Sequence, residues 1–153
     1  LSPVIDVELN FVLSTFSGNK SITGAGAVAG LVAQVNLVSS GVFANSGAGG
    51  TIDTSLIDVT DSVFQGNLSQ GAGGAALNAS SQVLRVRGST FSGNVSAGGG
   101  VILGQVLEIT NSTVTGNSGP GAAVTATLGE LVTTFSTVAD NATGGGLSVP
   151  GNI

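Results

Sequence analysis

The chain has 153 residues, enough for one domain, and is 41% hydrophobic but only 4% aromatic, so its interior must be built from Val, Leu, Ile and Ala. Charged residues make up 7% and the net charge is −5, an acidic, arginine-poor balance that argues against a nucleic-acid partner. With no cysteine there is no disulfide, thiolate zinc site or thiol nucleophile, and no apolar run approaches the roughly 18 residues of a membrane span.

In chain order the same unit occurs six times. The first places apolar Leu9 and Phe11 two apart, then Ser14, then an anchor Phe16 followed three positions later by Asn19, and a glycine-rich tract running from Gly24 into Val28. The second repeats this as Val35, Leu37, Ser40, Val42, Asn45 and the tract from Gly47 to Ile52. Next come Ile57, Val59, Ser62, Phe64, Asn67 with Gly71 to Leu77, and Leu84, Val86, Ser89, Phe91, Asn94 with Gly98 to Leu103. The fifth is Leu107, Ile109, Ser112, Val114, Asn117 with Gly119 to Val124. The sixth is Leu131, Thr133, Ser136, Val138, Asn141 with Gly144 to Val149, where Thr133 alone breaks the apolar columns.

Alternation of apolar and other residues is the signature of a strand with one buried face, and no stretch keeps a helical period. A unit of about 25 residues cannot bury its own apolar face, so the units must lie on one another around a shared interior. Anchor spacing varies from 22 to 27 residues while the columns hold, which predicts insertions in the Gly, Ser and Asn turns. Asn-Gly and Asp-Gly hairpin turns are missing between strands, which disfavours an antiparallel sandwich. The sequence therefore predicts an all-β fold: a right-handed parallel β-helix, a solenoid of about six rungs, forming one segment over residues 1–153. At about 4.8 Å per rung the rod is on the order of 30 Å long.

Stacking turns each repeated polar position into a ladder. Asn19, Asn45, Asn67, Asn94, Asn117 and Asn141 are expected to hydrogen-bond from rung to rung, with Phe16, Phe64 and Phe91 stacked beside them. Six positions before each anchor stands an outward column, Asn10, Asn36, Asp58, Arg85, Glu108 and Val132, which places Asp58, Arg85 and Glu108 on adjacent rungs as an ionic ladder. An ice-binding threonine face is spoiled by Arg87, in the column Val12, Val38, Thr60, Arg87, Thr110 and Thr134.

Candidate chemistry is thin. There is no histidine or tyrosine, and the carboxylates Asp6, Glu8, Asp53, Asp58, Asp61, Glu108, Glu130 and Asp140 are mostly isolated in different rungs. Asp58 and Glu108 fall at roughly 10 Å with an arginine between them, against about 5–9.5 Å for a glycosidase pair. Asp53, Asp58 and Asp61 match neither an EF-hand loop nor a nine-residue calcium roll, so neither metal nor cofactor is expected. Six N-glycosylation sequons begin at Asn19, Asn67, Asn78, Asn94, Asn111 and Asn141, and Asn78 and Asn111, off the anchor column, are the better acceptors.

The signatures Phe16-Ser17-Gly18-Asn19, Phe64-Gln65-Gly66-Asn67 and Phe91-Ser92-Gly93-Asn94, with Gly49-Gly50-Thr51-Ile52 and Gly73-Gly74-Ala75-Ala76-Leu77, resemble the FxxN and GGA[ILV] repeats of polymorphic outer-membrane proteins. The departures are Val42, Val114 and Val138 for phenylalanine, and Gly24-Ala25-Gly26-Ala27 and Gly144-Gly145-Gly146-Leu147 for the tetrad. The resemblance implies a pectin-lyase-like right-handed β-helix, exported to a cell surface and used in adhesion or as a stalk. The expected function is thus a non-enzymatic extracellular rod, stalk or filament subunit. An adhesin face around Phe43 or Phe135 that meets a glycan or receptor is the first alternative, and a polysaccharide lyase or hydrolase fragment the second. The chain begins at Leu1 without an initiator methionine and ends in mid-pattern, so the coil is expected to continue in flanking sequence or to dock end to end on its own kind.

Overall fold

The computed structural model describes residues 7–142 and 144–149, with all their side chains except those of residues 31, 32 and 80–82. Asp6, Thr143, the Ser80 side chain and residues 150–153 therefore lie outside the described residues. The described chain is all β, a parallel solenoid of about six turns.

Successive turns stack their strands on three faces. The largest face pairs Val7–Val12, Val28–Val38, Ile52–Thr60, Leu77–Arg87, Ile102–Thr110, Ala122–Thr134 and Gly145–Ser148 in a 7-stranded parallel sheet, in that order. Three-residue strands, from Thr15–Ser17 through Thr137–Ala139, form a 6-stranded second face. Ser46–Gly47, Leu68–Ser69 and Val95–Ser96 make the third, which single bridges extend to Lys20, Ser118 and Ala142.

The register stacks like on like. Phe16, Val42, Phe64, Phe91, Val114 and Val138 pair in succession, as do Leu9, Val35, Ile57, Leu84, Leu107 and Leu131. Their side chains fill a continuous dry interior. Phe64 and Phe91 lie flat on each other, centroids 4.7 Å apart and planes 8° from parallel, a spacing that one strand-to-strand step dictates. Within the inner turns these columns are fully buried, whereas Leu9, Phe11, Phe16, Leu131 and Val138 on the end turns are only partly covered. Thr133 sits on the last turn, exposed, so its hydroxyl interrupts no core.

The faces meet at corners made by residues in the left-handed backbone region. One corner column is Leu13, Ser39, Asp61, Gly88, Asn111 and Phe135, at φ of 49 to 59°; the other is Gly18, Ala44, Gly66, Gly93, Gly116 and Asp140, at 51 to 67°. L-residues pay about 1 kcal/mol for this conformation, so something must hold it. Directly after each first corner stands the repeated serine. Its Oγ donates back to the carbonyl two residues earlier, Ser62 to Thr60 at 2.8 Å and Ser89 to Arg87 at 2.7 Å, while accepting the N–H of the serine one turn below.

After the second corner stands the asparagine. The backbone N–H and Nδ2 of Asn67 both donate to Oδ1 of Asn94, at 3.0 and 2.9 Å, and Nδ2 also donates to the Val42 carbonyl one turn back at 2.9 Å. The same pattern links Asn45 to Asn67 and Asn94 to Asn117, and all four of these asparagines are fully buried. Each inner amide is thus satisfied without water.

Turn length varies at two places rather than one. Beyond the glycine-rich tracts, the long strands break register at a fixed corner, where residues 31–33, 80–82 and 127–129 alternate with single residues, Ser55 and Gln105. Within the tracts the turns press backbone on backbone: a Cβ on Gly100 would collide with the Ala122 carbonyl, and one on Gly74 with that of Leu77.

Asn67→Ala should strip the acceptor from Asn45 and the donor from the Val42 carbonyl, costing roughly 3 kcal/mol in chemical denaturation, whereas Asn19→Ala at the ladder's end should cost under about 1 kcal/mol. Val59→Asp buries an unpaired charge and should cost more than about 4 kcal/mol, against about 1 kcal/mol or less for the outward Thr110→Asp.

Candidate functional site

The outward column forms in the expected order, Asn10 beside Asn36, then Asp58, Arg85, Glu108 and Val132. Arg85 Nε donates to Glu108 Oε2 at 3.1 Å, and its Nη1 lies 3.9 Å from Asp58 Oδ2. Arg87, two residues on and so on the same face, reaches both acids as well, at 3.8 Å from Asp58 Oδ1 and 3.8 Å from Glu108 Oε2. Two guanidinium groups therefore neutralise two carboxylates, and Arg85 stands between the acids on the middle rung. The role of Arg87 was missed in the sequence because its column is otherwise Val and Thr; its i, i+2 spacing from Arg85 was the available signal. Contacts this open to water are worth about 0–1 kcal/mol each. Asp58 Oδ1 is buried without a hydrogen bond, its nearest cation at that longer Arg87 contact.

The strip continues as an amide network that ends on the Glu8 carboxylate. Asn36 Nδ2 donates to Asn10 Oδ1 and to Glu8 Oε1, both at 2.7 Å, and Gln34 Nε2 donates to Asn36 Oδ1 at 3.0 Å. The three aspartates weighed as cation ligands have separate surroundings: Asp58 faces the arginines, Asp61 occupies an exposed corner at φ 49°, and Asp53 accepts from Asn78 Nδ2 at 3.0 Å. Burial pushes the Asp53 carboxyl above its ordinary value, and the Asn78 hydrogen bond opposes that shift.

The sequons divide by burial. Asn67 and Asn94 are fully buried with both amide hydrogens engaged in the ladder, so a glycan there requires a broken wall. Asn19 donates to Asn45 Oδ1, Asn141 to the Val114 and Ala139 carbonyls, and half-buried Asn78 to Asp53. Asn111 is exposed on its left-handed corner, outside the ladders. Of the two phenylalanines named for a binding face, Phe43 is half-buried beside a shallow groove of about 320 Å³ lined by Leu13, Ser39, Asp61 and Val63, and Phe135 is 89% exposed on a corner. No family model, curated protein or solved structure matches this chain.

Asp53→Asn keeps an acceptor for Asn78 and removes a charge that burial disfavours. A carboxyl raised in the folded state is penalised only once pH exceeds the unfolded value, so the Asn variant should melt higher at neutral pH. Melting curves of the two proteins should converge as pH falls into the range in which Asp53 is protonated in both the folded and the unfolded state.

Proposed function

We propose that this chain is a non-enzymatic structural rod, a stalk or filament segment of an extracellular or cell-surface protein. The observation that carries the reading is the asparagine ladder, unbroken from Asn19 to Asn141 and fully buried from Asn45 to Asn117, which ties every turn to the next by side-chain as well as backbone bonds. Such bonds run along the axis, so a pull along the rod loads many of them together. The FxxN and GGA[ILV] resemblance, with its pectin-lyase-like right-handed coil, supports a displayed position outside the cell. Lack of cysteine leaves the chain indifferent to oxidising surroundings, and Asn111 offers an open place for a glycan. Phe135, almost wholly exposed, favours a second reading in which one face of the rod meets a glycan or receptor.

Protease resistance tests the first reading. Digestion with a broad-specificity protease under native conditions should leave the body of the rod intact for hours, and electron micrographs should show straight particles of uniform width. Rapid cleavage inside the inner turns, or flexible particles, would overturn it. For the second reading, Phe135→Ala should abolish binding in a glycan array without lowering the melting temperature.

A further inference from the structure

We propose that Asn67 and Asn94 are positions at which N-glycosylation and folding exclude one another, so that the chain matures only where its coil closes before an oligosaccharide transferase reaches it. This does not depend on the rod reading; it sets the order of events that any exported route must satisfy. Asn67-Leu68-Ser69 and Asn94-Val95-Ser96 are complete acceptor sequons, a motif that ordinarily marks an exposed loop. Here the fold puts them in its wall. Both asparagines are fully buried, and Ser69 and Ser96 are 0% and 3% exposed.

Each of the two amides already uses both of its hydrogens. Asn67 Nδ2 donates to the Val42 carbonyl and to Asn94 Oδ1, and Asn94 Nδ2 donates to the Phe64 carbonyl and to Asn117 Oδ1, at 2.9 to 3.0 Å. The Ser96 hydroxyl is engaged as well, accepting the Gly99 N–H at 3.0 Å and donating to the Gly73 carbonyl at 3.2 Å. A transferase must reach both the amide and the sequon hydroxyl, so the closed coil offers it neither. The unfolded chain offers both. There the asparagine Nδ2 attacks the anomeric carbon of a lipid-pyrophosphate oligosaccharide: a C–N bond forms, the bond from that carbon to the pyrophosphate oxygen breaks, the lipid pyrophosphate leaves and the amide gives up one proton. The glycosylated amide keeps one hydrogen where the wall needs two. Either a carbonyl one turn back or the Oδ1 of the next asparagine is then buried and unpaired, and the sugar itself falls where water has no access.

Asn111 marks the contrast. It is exposed on its left-handed corner, outside the ladders, and Thr113, which completes its sequon, is half-exposed. A sugar there breaks no ladder bond, so the same modification has opposite consequences at Asn111 and in the wall.

The test sends the full chain through a eukaryotic secretory pathway and, in parallel, makes it in a bacterial cytosol, with the occupancy of each sequon read by mass spectrometry. The cytosolic protein should melt cooperatively. The chain in the secretory pathway should carry sugar at Asn67 and Asn94 and stay in the cell in a protease-sensitive form. Ser69→Ala with Ser96→Ala removes both acceptors while keeping the asparagines, and should raise the yield of folded, secreted chain several-fold; Thr113→Ala, which removes the Asn111 sequon, should not. Blocking synthesis of the lipid-linked donor should raise the yield of the unsubstituted chain too, a readout that needs no substitution. If the unsubstituted chain instead folds with both acceptors empty, Val59→Asp, which holds the coil open, should fill them in the same cells; acceptors still empty there would overturn the proposal. So would a protease-resistant chain that carries sugar at Asn67 or Asn94, or a yield that neither the double variant nor the blocked donor changes. The shape and protease resistance of the cytosolic protein test the rod reading separately, so each can fail without the other.

Discussion

Holding two left-handed corners in every turn, against a dry interior, is the constraint on which this structure depends. Each corner requires a residue in the left-handed region and leaves polar backbone groups near a dry interior. The serine after the first corner clamps the carbonyl before it, and the asparagine after the second closes its own corner while bonding both neighbouring turns. Flat faces, like-on-like columns and the Phe64–Phe91 stack are what this repeated closure permits.

Inside and outside ladders differ in kind. The asparagines are buried, with short bonds and nearly complete satisfaction, so losing one orphans groups on two other turns. The Asp58, Arg85, Arg87 and Glu108 cluster is partly hydrated and mostly held at 3.8 to 3.9 Å, so it adjusts the fit of turns already fixed from within. Charge is scarce here because the polar work is done by uncharged amides and hydroxyls.

Columns of one residue type were legible in the sequence because stacking imposes the same chemistry at each turn, and Asn19 to Asn141 or Leu9 to Leu131 could be aligned by counting back from the anchors. The corners were legible only where glycine marked them, as at Gly18, Gly66 and Gly93; nothing in Leu13 or Phe135 announces a left-handed backbone, since the neighbouring serine supplies the restraint. Arg87 was hidden by the hydroxyl and valine character of its column. The three-residue excursions in the long strands were hidden too, because Leu31 and Val32 continue an apolar run and leave no turn signature. Competition for the sequon asparagines was legible for those in the anchor column, whose amides the ladder uses, but not for Asn78, whose bond to Asp53 one turn away follows no repeated column.

The alternating excursions have a consequence for how such a molecule can change. Pairing resumes on the far side of that corner whether one residue or three intervene, so the length of chain there is uncoupled from the interior. The site therefore behaves as a port: outer decoration can be lengthened, replaced or grafted along one seam while the columns beneath keep their order.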